Sequence, residues 1–129
     1  SGALKLLATN ARIYGPSLVF EDQYRNLGYW QSPDDRAVWS IEVRQPGKYR
    51  CVIDYASHVD MSGDRYTITI GDQTLGGIVR STGDWDQYRT AEVGVVELKK
   101  GETQLEMRSA GPVKGAMIDL RGIWLYPTR

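Results

Sequence analysis

The chain has 129 residues, with 16 basic and 16 acidic side chains, one histidine and one cysteine. That length fits one domain, and a hydrophobic fraction of 41% is enough for a packed core and argues against disorder. Residues 1–64 carry 7 basic and 8 acidic groups and residues 65–129 carry 9 and 8, so neither half has the basic face a nucleic acid needs. No apolar run approaches the ~18–20 residues that cross a bilayer, so neither nucleic acid nor membrane is an expected partner.

At the start, Ser1-Gly2-Ala3 reads as a scar of cloning or excision. An apolar stretch opens at Leu4. Residues 10–36 are irregular, interrupted by Gly15-Pro16, Gly28 and Ser32-Pro33-Asp34-Asp35, which predicts a short strand over 17–20 with loops around it. Period-two runs follow, the signature of half-buried strands. Trp39, Ile41 and Val43 alternate with Ser40 and Glu42; Tyr49, Cys51, Ile53 and Tyr55 alternate with Arg50, Val52 and Asp54. Tyr66, Ile68 and Ile70 alternate with Thr67 and Thr69, and Gly71-Asp72 then predicts a tight hairpin. Leu105 and Met107 alternate with polar neighbours, and Ile123 and Leu125 with Trp124 and Tyr126, which face the other way. No segment carries the 3.6-residue period of an amphipathic helix. Turn signals every ~8–20 residues give the rhythm of an antiparallel sandwich or barrel. The expected core is Trp39, Ile41, Tyr49, Cys51, Ile53, Ile68, Leu105 and Leu125. The lone Cys51 excludes an internal disulfide and reads as a small buried hydrophobe.

Catalytic chemistry finds little support. His58 is the single histidine and lies in a loop between two predicted strands, with no strand–elbow–helix frame around any serine. Asp34-Asp35, and Asp84 with Asp86, are too close in sequence to flank a cleft as glycosidase acids do. No phosphate-binding, dinucleotide or metalloprotease motif is present. Asp60, Ser62 and Asp64 make an oxygen-rich loop without EF-hand spacing, which reads as a hydrated turn rather than a calcium loop. Asp119 lies inside the apolar run Ala116–Leu120 and needs a partner if buried; Arg121 two residues on, or a metal ion, would serve.

Aromatic residues are more informative: 8 Tyr and 4 Trp against a single Phe. Tyr29-Trp30 follow Gly28, and Trp85 is set in Gly83-Asp84-Trp85-Asp86-Gln87. Flat rings stack on the C–H faces of pyranoses while neighbouring polar groups bond the hydroxyls. The alternative is that Trp30 and Trp85 plug the ends of a sandwich core.

The order Gly28-Tyr29, Trp39 in a strand, Pro46-Gly47-Lys48-Tyr49-Arg50-Cys51-Val52, Gly83-Asp84-Trp85-Asp86-Gln87-Tyr88, Leu98-Lys99-Lys100-Gly101 and Ile118-Asp119-Leu120-Arg121 resembles family 6-like carbohydrate-binding modules. These are β-sandwiches of the galactose-binding-domain type. The likeness spans residues 4–127, and its details are similar to accessory domains beside secreted bacterial fucosidases and sulfatases. It implies an all-β, antiparallel jelly-roll sandwich of about eight or nine strands. It implies non-catalytic sugar binding by a single module excised from a larger extracellular or periplasmic protein, with a glycan and neighbouring domains as partners. Tyr29 and Trp85 become the pair that sandwiches a sugar, with Trp30, Asp84, Asp86, Gln87 and Lys114 around them. The last loop lacks the asparagine usual in the family; Lys114 in its place would favour an acidic or sulfated sugar. The family's structural calcium would fall to Asp119, with Thr9 where an acid is usual. The competing reading is a structural or protein-interaction accessory domain with no sugar site.

Overall fold

The computed structural model describes residues 2–128. Among them are eleven strands and one short 3-10 turn: β1 Leu4–Leu7, β2 Arg12–Tyr14, β3 Val19–Glu21, β4 Asn26–Gly28, β5 Arg36–Val43, β6 Gly47–Ala56, β7 Arg65–Ile70, β8 Gln73–Ile78, β9 Arg89–Leu98, β10 Gly101–Ser109 and β11 Asp119–Pro127. They form two antiparallel sheets, β3-β4-β11-β6-β9 with β1 beside β11, and β2-β5-β10-β7-β8. The sheets stack face to face as a jelly-roll sandwich, the aligned packing that antiparallel sheets with one apolar face adopt.

The long strands are those whose alternation is legible in the sequence. All eight expected core residues are buried, from Leu105, Leu125, Ile68 and Cys51 at 0% exposed to Ile41 at 4%. Trp39 crosses the interior to donate its indole N–H to the Leu7 carbonyl at 2.8 Å. The expected hairpin forms: Ile70 and Gln73 pair across Gly71-Asp72, and Gly71 takes φ +59°, which a two-residue hairpin turn requires. Two three-residue strands, β2 and β4, lie in the region expected to be mostly loop, and with β1 and β3 they raise the strand count above eight or nine. None is long enough to show a period.

The topology gathers five connections at one end. The chain crosses from one sheet to the other through residues 15–18, 29–35, 57–64, 79–88 and 110–118, and each crossing lies at the end where β2, β4 and β6 finish and β3, β9 and β11 begin.

Candidate functional site

These crossing loops are tied to each other rather than left free. Asp35, fully buried, is the centre of one knot. Its carboxylate accepts N–H bonds from Ser17 at 2.9 Å, Leu18 at 3.1 Å, Gln31 at 3.2 Å and Ser32 at 3.0 Å, and a further bond from the Ser17 hydroxyl. Burial pulls the carboxyl upward, but the Ser17 hydroxyl and the surrounding N–H groups outweigh it and hold it below the ordinary carboxylate range. Gly15 makes room for this knot: a Cβ there would fall 2.4 Å from the carboxylate. Trp30 is fully buried behind it and donates to the Asp35 carbonyl at 3.2 Å. The Trp30 carbonyl accepts the Met117 N–H at 2.8 Å, which joins loop 29–35 to loop 110–118.

A second knot fixes the tryptophan loop. Thr82 and Ser57 exchange N–H bonds at 2.9 and 3.0 Å, through the Thr82 hydroxyl and the Ser57 carbonyl. Val59 donates to the Gly83 carbonyl at 3.2 Å, and Asp84 takes the Trp85 N–H on its carboxylate at 2.7 Å. Asp64 closes the ring, its two oxygens each 3.1 Å from the Lys114 N–H. The Asp60–Asp64 loop therefore uses its buried acid as a brace between loops.

Between these knots lies an open groove of about 410 Å³, within the size range of small-ligand sites. Tyr29 and Trp85 both line it, with Asp84 and Asp86. Tyr29 is 55% exposed and holds φ +56°, a left-handed conformation unusual for an aromatic residue. Trp85 is half-buried, its ring 6.3 Å from that of His58. Gly115 belongs to the lining, and at φ +68° a Cβ on it would lie 2.9 Å from the Met61 sulfur.

Three expected site residues fall outside the groove lining. Trp30 is core, because Asp35 and Met117 draw its indole and carbonyl inward. Gln87 turns back over Gly83, where its side-chain oxygen would lie 2.1 Å from an added Cβ. Lys114 is anchored through its backbone to Asp64, is exposed, and is not among the lining residues. Residues that sequence reasoning missed are Glu21, Tyr24, Gln31 and Met61, and Asp119 joins them in the groove. Gln31 carried no periodic signal, because the left-handed backbone at Tyr29 breaks the alternation of an extended segment.

Asp119 does not pair with Arg121. The β6–β11 register slips between Leu120 and Gly122, and this bulge sends the two side chains into different recesses. Arg121 stacks over the Tyr88 ring, its guanidinium carbon 3.6 Å from the centroid, and lines a recess with Thr9, Arg25 and Asp54. Asp119 remains on the groove side, where burial, and then the neighbouring Glu21, push its carboxyl up to about 7.

The same separation removes the expected calcium set. Thr9 sits in the recess with two guanidinium groups, which repel a cation, and Asp119 lies in the groove. Among the described residues no group of three or more His, Cys, Asp or Glu is placed to hold a metal. The donors do not fit a structural calcium built on Asp119 and Thr9.

The sequence matches no family model and no curated protein, so the likeness to known proteins is carried by the backbone. A family 35 carbohydrate-binding module from Clostridium thermocellum superposes with a TM-score of 0.76 at 16% identity, over 99% of this chain and 100% of that one. CBM6cm-2 from Cellvibrio mixtus lichenase 5A, solved in complex with cellotriose, gives 0.75 at 18% identity, over 98% of each chain. The GH26-CBM35 β-(1,4)-mannanase of Podospora anserina gives 0.75 at 15% identity; 99% of this chain is covered, but it spans only 28% of that enzyme. The chain thus has the fold of the family 6 and family 35 carbohydrate-binding modules.

Proposed function

We propose that the domain is a non-catalytic carbohydrate-binding module that holds a glycan in the groove lined by Tyr29 and Trp85. One observation carries this reading: two aromatic side chains distant in sequence, one of them on a disfavoured backbone conformation, line a single open groove with polar neighbours. Strain of that kind persists where surrounding structure enforces it, and it clusters at binding sites. The rings supply stacking surface; Asp84, Asp86 and Gln31 supply acceptors and donors for hydroxyls. A shallow, open groove gives weak binding, on the order of 0.1–1 mM. Such affinity is useful when the module is tethered to a second domain, where effective concentration multiplies it. The natural setting of the module is one domain of a larger extracellular or periplasmic protein acting on glycans.

A glycan array followed by calorimetric titration tests this, with Trp85→Ala as the control. Loss of an aromatic platform costs about 1–3 kcal/mol, by analogy with aromatic–base stacking, which removes detectable affinity from a millimolar binder. The folded state survives, because Trp85 is only half-buried. A Trp85→Ala variant that binds unchanged, or a wild type that binds no glycan, would overturn the assignment.

A further inference from the structure

The charge of the groove narrows its ligand beyond sugar in general. The chain as a whole is balanced, 16 against 16. The groove is not: Glu21, Asp84, Asp86 and Asp119 line it, and the lining contains no lysine, arginine or histidine. These four carboxylates come from three separate segments, the end of β3, the 79–88 loop and the start of β11. Among the described residues none of them takes part in an ion pair; the five pairs present involve Asp22, Glu106, Glu42, Glu92 and Asp60. Glu21 is bonded by the neutral Asn26 amide and Asp84 by the N–H of Trp85.

Nearby cations are committed elsewhere. Arg121 lies over Tyr88 and in the other recess, Arg25 pairs with Asp22, His58 lies against Asp60, and Lys114 is exposed and not among the lining residues. Among the described residues no three of them form a group placed to hold a metal ion. They share a groove that already presents aromatic faces, which suits positive charges carried on an oligosaccharide.

We propose that the groove selects a glycan bearing protonated amino groups, of the glucosamine type, and rejects uronate and sulfated chains. This rests on the sugar-binding reading above and specifies its ligand. The amines meet the carboxylates while the ring faces lie against Tyr29 and Trp85. Burial first, and then Glu21, push the Asp119 carboxyl up to about 7, so near pH 6 it is mostly neutral and the charge that meets the amines is that of Glu21, Asp84 and Asp86. The expectation that Lys114 would favour an acidic sugar is reversed, because the lining carries four acids and Lys114 is not part of it.

The test is a calorimetric titration at about pH 6, where sugar amines are protonated. The probes are a glucosamine tetramer, its fully N-acetylated counterpart and a galacturonate tetramer. The glucosamine tetramer binds about tenfold more tightly than the acetylated one, the sum of a few exposed charge pairs. The preference shrinks as sodium chloride rises toward about 1 M, and galacturonate does not bind. The double variant Asp84→Asn/Asp86→Asn brings the first two affinities together. Equal binding of the charged and acetylated tetramers, or binding of galacturonate, overturns this inference and leaves sugar binding standing. Glucosamine binding that survives Trp85→Ala also overturns it, since the charge would then be held outside the groove. No binding of any glycan overturns both.

Discussion

Tyr29 holds a backbone conformation that costs an L-residue with a bulky side chain about 1 kcal/mol or more. Its ring is more than half exposed, so little packing is lost when the side chain is removed. Tyr29→Gly should therefore keep or raise the melting temperature while glycan binding is lost. A clear drop in stability would show that the ring is structural. Asp119 adds a second residue-level expectation. Its carboxyl titrates at about 7 in the folded protein against an ordinary value of 3.8, raised first by burial and then by Glu21. The folded state thus binds the proton more tightly than the unfolded one. The stability this contributes is complete below about pH 4 and disappears as pH rises through about 7. Tyr88 lies near Asp119 and Arg121 lies over the Tyr88 ring, and neither cancels the shift. Asp119→Asn should match the wild type near pH 4 and exceed it near pH 8. Because the groove is open to water, the gain is about 1–3 kcal/mol. Thermal melts of both proteins at the two pH values check this; equal curves at pH 8 would contradict it.

Among the elements, the loop-bearing end depends on Asp35, whose carboxylate terminates four backbone N–H groups from two segments. Asp35→Ala leaves those donors unbonded, that of Leu18 buried and the other three part-buried, at a cost of about 3 kcal/mol or more. Asp35→Asn, which retains one acceptor oxygen, should cost roughly half as much. Both should weaken glycan binding, since Tyr29 and Gln31 flank the knot; a variant stable within measurement error would refute the brace. Asp35 was visible in the sequence only as half of an adjacent acid pair, because its role is fixed by backbone groups that carry no side-chain signature. Strand β9 was equally opaque. Its pairing with β6 sets Cys51 opposite Gly94 and Val52 opposite Glu92, so Val93 is an extra residue. Such a bulge shifts parity within one strand, and Val96 and Leu98 point inward on a count that Ala91 does not share. Strands β5, β6, β7, β10 and β11 were legible because alternation is uninterrupted over most of their length. In the site, Tyr29, Trp85, Asp84 and Asp86 were legible as aromatics and acids in turn-rich segments. Glu21 and Tyr24 enter the groove only through the β3–β4 hairpin, a pairing of three residues that no period announces.

At the scale of the molecule, the sandwich has one centre, and Cys51 lies in it. The residue is fully buried on β6, which is paired on both sides, with Leu125 of β11 opposite and Gly94 of β9 across the other edge. Burial pushes its thiol up to about 12, so almost no thiolate exists at neutral pH even where reagent arrives. Its side chain belongs to the core between the sheets, and β6 is covered at its outer side by the edge strand β9, so access requires the sheets to separate. Labelling by an aromatic disulfide reagent should therefore report global unfolding, slowed relative to an unstructured thiol by about the unfolding equilibrium constant. For a domain stable by ~5–10 kcal/mol that is a factor of roughly 10⁴–10⁷. The labelling rate should rise with urea along the same slope as the loss of tertiary fluorescence. It should also fall when a bound glycan stabilises the fold, although the groove lies at the far end of the loops from the thiol. Rapid labelling in native buffer, insensitive to urea below the unfolding transition, would mean that the β6–β9 edge opens locally, and that the core is not the single cooperative unit its packing implies.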